Sequence, residues 1–251
     1  MSPNPLELIN VNKEYGATKI LNEINLTVKD GEFITIKGKS GVGKTTLLKI
    51  MGLLEHPDKG EVRLFGNNTR ELGDETESNV RLHNMGFVFQ SYNIIPSLTV
   101  LENIELPLAL AGTKKQERKQ RAHELLKYFG LTSLETRFPD NLSGGEKQRT
   151  AIIRALANRP KIILADEPTS SLDDDNSRLV IELLSNINKE TKVVIILTTT
   201  DLQEEIWGST EYMLKAGHLQ RTFLPGTLST GKPSATSFNP LTITDSQETT
   251  E

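Results

Sequence analysis

Phe33-Ile34-Thr35-Ile36-Lys37-Gly38-Lys39-Ser40-Gly41-Val42-Gly43-Lys44-Thr45-Thr46-Leu47-Leu48-Lys49-Ile50 is the stretch whose reading decides the fold. Phe33 to Lys37 alternates apolar and polar residues, the pattern of a strand. Gly38 to Thr45 then matches the phosphate-loop spacing, a glycine, four residues, Gly-Lys and a hydroxyl residue, with Thr46 behind it. Gly41 and Gly43 let the backbone turn with no Cβ in the way. The N–H groups of Gly38, Lys39, Ser40, Gly41, Val42 and Gly43 can therefore face one anion. Thr45 to Ile50 reads as a helix whose N-terminal dipole points at that anion. Lys44 is expected to reach the β- and γ-phosphates of a nucleoside triphosphate, and the Thr45 hydroxyl to hold Mg²⁺. A glycine- and serine-rich surface loop would match by chance, but it would not bring strand, loop and helix in that order.

Working outward, Leu6 to Val11 and Ile24 to Val28 alternate like half-buried strands joined by a turn near Tyr15-Gly16. With Glu61 to Phe65 they predict a small antiparallel sheet beside the loop. Tyr15 is placed to stack on an adenine, or is an ordinary core or surface tyrosine of a strand. Gly86-Phe87-Val88-Phe89-Gln90 is a short strand that carries a polar amide to its C-terminal end, where open α/β sheets bind ligands. Lys161 to Glu167 is a buried-type strand closing on two adjacent carboxylates. These are costly to bury unless they meet a cation, and Mg²⁺ from the loop supplies one. Adjacent residues point in different directions, so Asp166 is expected to face the metal and Glu167 to face a water beyond the γ-phosphate.

From Leu98 to Leu134 the pattern becomes helical. Lys114-Lys115 and Arg118-Lys119 read as a solvated face opposite Leu125, Leu126 and Phe129. Asn141 to Arg149 opens a further helix on Ser143-Gly144-Gly145, an N-cap start that leaves N–H groups for a phosphate. A helix follows from Asn176 to Asn188, then an apolar strand, Val193 to Leu197, ending in Thr198-Thr199-Thr200-Asp201. Residues 1–226 read as one domain with a helical insertion at about 95–160. Residues 227–251 are rich in Ser, Thr, Pro and Gly and are expected to form a disordered tail.

Composition narrows the classes. A net charge of -4 argues against a general nucleic-acid surface, and no cysteine means no disulfide and no thiolate metal site. Met1 to Asn10 has neither the basic nor the apolar region of a signal peptide, and no run approaches the about 20 apolar residues of a membrane helix. Membrane contact is expected only through a partner.

These segments, in this order, resemble the ATP-binding subunits of ABC transporters from about Leu6 to Gln220, most specifically in Leu142-Ser143-Gly144-Gly145-Glu146. Gly86 to Gln90 and Leu98 to Leu108 look like the lipoprotein-release and macrolide-export branch. The resemblance implies an α/β fold, a P-loop NTPase (RecA-like) mixed-sheet core with an antiparallel β subdomain and a helical subdomain insertion. It implies an ATPase using ATP and Mg²⁺, paired head to tail with a second ATP-binding subunit so that Ser143, Gly144 and Gly145 meet the nucleotide of the other copy. It also implies a membrane permease partner, docked near Gln90 and the helical insertion, and a place on the inner, cytoplasmic face of the cell membrane. The implied catalytic set is Glu167, Lys44, Gln90 and Thr200. Thr200 stands where the family usually has a histidine, and Lys39 where it often has proline. The threonine keeps a second reading open, an ATP-binding regulatory module with very slow hydrolysis.

Overall fold

The structure, a computed structural model, describes residues 3–204 and 206–222, so the tail expected over 227–251 lies outside the described residues. Strands β1 (Leu6–Tyr15) and β2 (Thr18–Val28) form a hairpin with Leu6 opposite Val28. Gly16, at φ 60°, makes the turn that a side chain would strain. Next come β3 (Phe33–Lys37), α1 (Lys44–Met51), β4 (Lys59–Leu64) and the two-residue β5 (Asn67–Asn68). β4 lies antiparallel along the other side of β1, giving a sheet in the order β2-β1-β4-β5. This is the small sheet that the alternating segments predict.

The chain continues through α2 (Asp74–Asn84), β6 (Met85–Val88), α3 (Val100–Leu110), α4 (Lys115–Tyr128), α5 (Gly144–Leu156) and β7 (Ile162–Asp166). It then forms α6 (Asp174–Thr191), β8 (Val194–Thr199), β9 (Thr210–Lys215) and β10 (His218–Arg221). The larger sheet runs β10-β9-β3-β8-β7-β6, parallel from β9 to β6, with β10 antiparallel at the edge. α2, β9 and β10 are additions to what the sequence pattern predicts. The expected helical stretch from Leu98 to Leu134 resolves into two helices, broken at the turn around Gly112, where φ is 77°.

Both faces of the larger sheet are buried, so its strands sort their residues by the period of two. Ile163 and Ala165 of β7, with Ile195 and Leu197 of β8, pack under α3, α4 and α5 beside Ile104, Leu126 and Ile152. Ile162, Leu164, Val194 and Ile196 point the other way, with Ile34 and Ile36 of β3, onto α1 and the small sheet. The central strands are therefore pinned between two cores. Their C-terminal ends, where β3, β7 and β8 lie in register, emerge at one edge.

Candidate nucleotide site

Three strand ends meet at that edge. β3 delivers the loop Gly38 to Gly43, and α1 begins at once, with Gly43 as its N-cap and no side-chain cap. Its first N–H groups are thus left for a ligand. Gly41 and Gly43 sit at φ 75° and 108°, and a Cβ on Gly43 would lie 2.7 Å from Ile20 Cγ2, so both torsion and space require glycine there. Lys44 is buried. Its ammonium donates to the carbonyl oxygens of Gly38 at 2.9 Å and Lys39 at 3.2 Å and forms an ion pair with Glu167 Oε1 at 3.0 Å. The Thr45 hydroxyl donates to Asp166 Oδ2 at 2.7 Å. Lys44, Thr45, Asp166 and Glu167, up to 123 positions apart in sequence (167 - 44), thus converge on one point.

The paired acids differ in environment. Asp166 ends β7 opposite Thr198 of β8, whose hydroxyl donates to Asp166 Oδ1 at 2.7 Å. Glu167 follows with φ 44°, a left-handed backbone that a non-glycine residue adopts only under constraint. Its N–H donates to both Thr198 Oγ1 and Thr198 O at 3.1 Å. Thr200, just past β8, is exposed and shares a cavity of about 620 Å³ with Glu167, Ser170, Asp201 and Glu204. In that cavity burial pushes the Glu204 carboxyl up from its ordinary pKa, and the Thr199 hydroxyl donates to it at 3.0 Å.

Gln90 is exposed in the turn two residues past the end of β6. Tyr15 closes β1 half-exposed. Its hydroxyl donates to Glu55 Oε1, and that carboxylate pushes the phenol pKa up. Lys13 Nζ lies 5.5 Å from its ring centroid. The hydroxyl and one face of the ring are thus engaged.

Ser143 caps α5 in a reciprocal box. Its hydroxyl accepts the Glu146 N–H at 3.3 Å, and the Glu146 carboxylate accepts the Ser143 N–H at 2.7 Å. Glu146, to which the sequence reading gives no role, therefore sets this helix start. Gly144 and Gly145 have reasons of their own: a Cβ would come within 3.2 Å of the Tyr92 hydroxyl at Gly144 and 2.3 Å of Asn176 Oδ1 at Gly145. Among the described residues no side-chain hydrogen bond or ion pair joins this helix start to the phosphate loop.

Sequence reasoning missed two braces. One is Thr198; its signal is the first of two threonines closing a strand that is otherwise Val, Ile and Leu. The other is Arg154 on α5, which donates to the carbonyls of Asn93 at 2.6 Å and Tyr92 at 3.2 Å and so holds two consecutive left-handed residues, φ 62° and 49°. No periodicity announces a side chain that serves backbone carbonyls.

A phosphate loop on a parallel sheet, with paired acids on the neighbouring strand, defines an ATP-handling cassette, and comparison with known proteins gives the family. The sequence model of the ABC transporter family matches residues 21–170, and the chain belongs to that family. An ABC transporter ATP-binding protein of Methanocaldococcus jannaschii, MJ0796, is 42% identical over 230 residues, which are 86% of this chain and 95% of that one. The lipoprotein-releasing ATP-binding protein LolD of Geobacter metallireducens is 44% identical over 198 residues, 77% of this chain and 88% of its own. The solved structure of MJ0796, a dimeric post-hydrolysis state bound to ADP and Pi, superimposes with a TM-score of 0.80 at 40% identity, covering 88% of this chain and 99% of that one. The chain is accordingly an ATP-binding and ATP-hydrolysing subunit of an ABC transporter.

Proposed function

We propose that residues 1–226 form the motor of a transporter in which two ATP-binding subunits close head to tail on ATP and reopen after hydrolysis, driving transport by a separate membrane permease. The convergence of Lys44, Thr45, Asp166 and Glu167 carries this reading. An incoming triphosphate offers oxygens to the Lys44 ammonium, which is ion-paired with Glu167. Exchanging Glu167 for a phosphate oxygen satisfies Lys44 and frees the carboxylate. The freed Glu167 orients the attacking water and takes its proton, while Lys44 balances charge building on the γ-phosphate. The Thr45 hydroxyl and Asp166 Oδ2, two hard oxygens 2.7 Å apart, would suit Mg²⁺, with Gln90 as a further candidate ligand. When bound, Mg²⁺ neutralises phosphate charge. No cluster of three metal-ligating His, Cys, Asp or Glu residues exists among the described residues.

Tyr15 supports the adenine, and Ser143 to Gly145 serve the nucleotide of the opposite copy. No helix among the described residues is long and apolar enough to cross a membrane. By its likeness to ABC transporter ATP-binding subunits, the reading places the subunit on the inner, cytoplasmic face of the cell membrane, held there by a permease. Export or extraction is the direction suggested by resemblance to the lipoprotein-releasing branch. Nucleic acid has no part in it. Steady-state hydrolysis of Mg-ATP by the purified chain, Lys44→Ala and Glu167→Gln is the test. Loss of turnover in both, with nucleotide still bound by Glu167→Gln, supports the mechanism, and wild-type turnover in Glu167→Gln removes Glu167 from it.

A second reading, a regulatory ATP-binding module with very slow hydrolysis, is favoured by one observation. Thr200 stands exposed at the cavity wall, where a hydroxyl reaches less far than an imidazole and carries no charge.

A further inference from the structure

We propose that Thr198 is a positioning residue for hydrolysis, its hydroxyl setting the orientation of Asp166 and the backbone of Glu167 at once. The proposal rests on the roles given above to those two acids. Thr198 is completely buried, in register with Asp166 across the parallel β7–β8 pair. Its O–H donates to Asp166 Oδ1 at 2.7 Å, and the same oxygen accepts the N–H of Glu167 at 3.1 Å. A hydroxyl has one donor and two acceptor sites, so a single group can hold both acids.

The consequence for Asp166 is that its two oxygens are no longer equivalent. Oδ1 is tied to Thr198, which leaves Oδ2 turned toward Thr45 at 2.7 Å, the side where nucleotide and metal bind. A free carboxylate would spread over a range of rotations about its terminal torsion. For Glu167 the hydroxyl is the second acceptor of an N–H whose residue sits at φ 44°, a backbone that persists only where its surroundings fix it. Valine matches threonine in shape but lacks the hydroxyl. In Thr198→Val, Asp166 Oδ1 loses its donor while the packing beside β7, on the α1 side of the sheet, is retained.

Residues that orient a metal-facing carboxylate are typically worth about 10- to 100-fold in metal affinity or activity. Thr198→Val is therefore expected to lower kcat about tenfold and raise the Mg²⁺ concentration for half-maximal turnover about tenfold. Binding of a fluorescent ATP analogue in EDTA is expected to stay at the wild-type level, since the loop itself is untouched. The tightening of that binding on adding Mg²⁺, read with no turnover, is expected to shrink. Thr198→Ser, which keeps the hydroxyl, is expected to restore both Mg²⁺ readouts. Wild-type Mg²⁺ dependence in Thr198→Val overturns the proposal. So does equal loss in the serine variant, or parallel loss of metal-free binding, since either marks a packing role. Glu167→Gln is assayed beside them. An active Glu167→Gln sinks the hydrolytic reading of the acids, whereas a silent Thr198→Val beside an inactive Glu167→Gln sinks only the role of Thr198.

Discussion

In its proposed role under the adenine, Tyr15 shows how one residue can be pre-set for a ligand. A phenol at a strand end has free rotation about its first torsion, yet here Glu55 holds the hydroxyl and Lys13 lies near the ring. A ring fixed before binding loses less entropy when a base stacks on it. Tyr15→Ala is expected to raise KM for ATP roughly five- to tenfold, the equivalent of about 1 kcal/mol of stacking, and to leave kcat alone. An unchanged KM would place the adenine elsewhere. Thr200 poses the opposite case, a chemical group the site lacks. If hydrolysis wants a longer donor there, Thr200→His raises turnover by an order of magnitude or more, toward the ~10² to 10³ that one transition-state donor is worth. Unchanged turnover means that the local hydroxyls suffice. Both residues are visible in the sequence, but what fixes them is not. Glu55 is forty positions from Tyr15, and nothing in local spacing pairs them.

At the scale of elements, the helix starts and strand ends set the site, and two of them invite measurement. α5 begins on the Ser143–Glu146 box, and the Ser143 N–H holds the Glu146 carboxyl below its ordinary pKa. A depressed acid lends stability that is full above its unfolded pKa, about 4.3, and lost as pH falls through the lower folded value. Acid unfolding of Glu146→Gln, which keeps the box geometry without the charge, is therefore expected to depend less steeply on pH below about 4.3. An identical pH dependence would show that the box contributes no ionic part. The second case joins β3 to β9: Lys37 Nζ lies 3.0 Å from Glu211 Oε2, both side chains over nine-tenths buried, just before the phosphate loop. Lys37→Met leaves Glu211 charged, buried and unpaired, and is expected to cost about 3 to 5 kcal/mol in denaturant unfolding. Adding Glu211→Leu should recover most of it, and a double variant as unstable as the single would deny the pairing. The same pair explains why β9 was illegible. Its buried positions are Glu211 and Leu214, three apart, and one of them is a carboxylate, so neither the alternation nor the hydrophobicity of a strand survives. α2 was hidden likewise, being Asp-Glu-Thr-Glu-Ser-Asn-Val-Arg-Leu-His-Asn, polar almost throughout. It is anchored by the Arg81 guanidinium on the Leu53 carbonyl at 2.7 Å, with Glu77 buried beneath it. By contrast β7 and β8 were legible because burial on both faces demands continuous apolar runs, β3 because its residues alternate just ahead of the loop, and the phosphate loop because glycine torsions and the Lys-Thr pair leave few substitutes.

Over the whole molecule, the phosphate loop and the Ser143 helix start belong to different parts of the chain. The first springs from the parallel sheet; the second stands on the helical layer between β6 and β7. No side-chain hydrogen bond or ion pair joins them among the described residues. If one nucleotide needs both, one chain alone cannot complete a site, and two chains related head to tail complete two. The MJ0796 cassette is dimeric in its ADP- and Pi-bound state. Two separately inactive variants make the distinction. Lys44→Ala removes the ammonium that meets the triphosphate, and Ser143→Arg fills the exposed mouth of the helix start at a capping cost of only about 1 kcal/mol. Mixed at equal concentration with ATP and Mg²⁺, they form some pairs in which the intact loop of the Ser143→Arg chain faces the intact Ser143 of the Lys44→Ala chain. Each such pair holds one complete site, so turnover is expected to reappear on mixing and to rise more than linearly with total protein. Sites built within a single chain could not be rescued, because every chain would carry its own defect, and a mixture no more active than its components would return the whole reaction to the monomer.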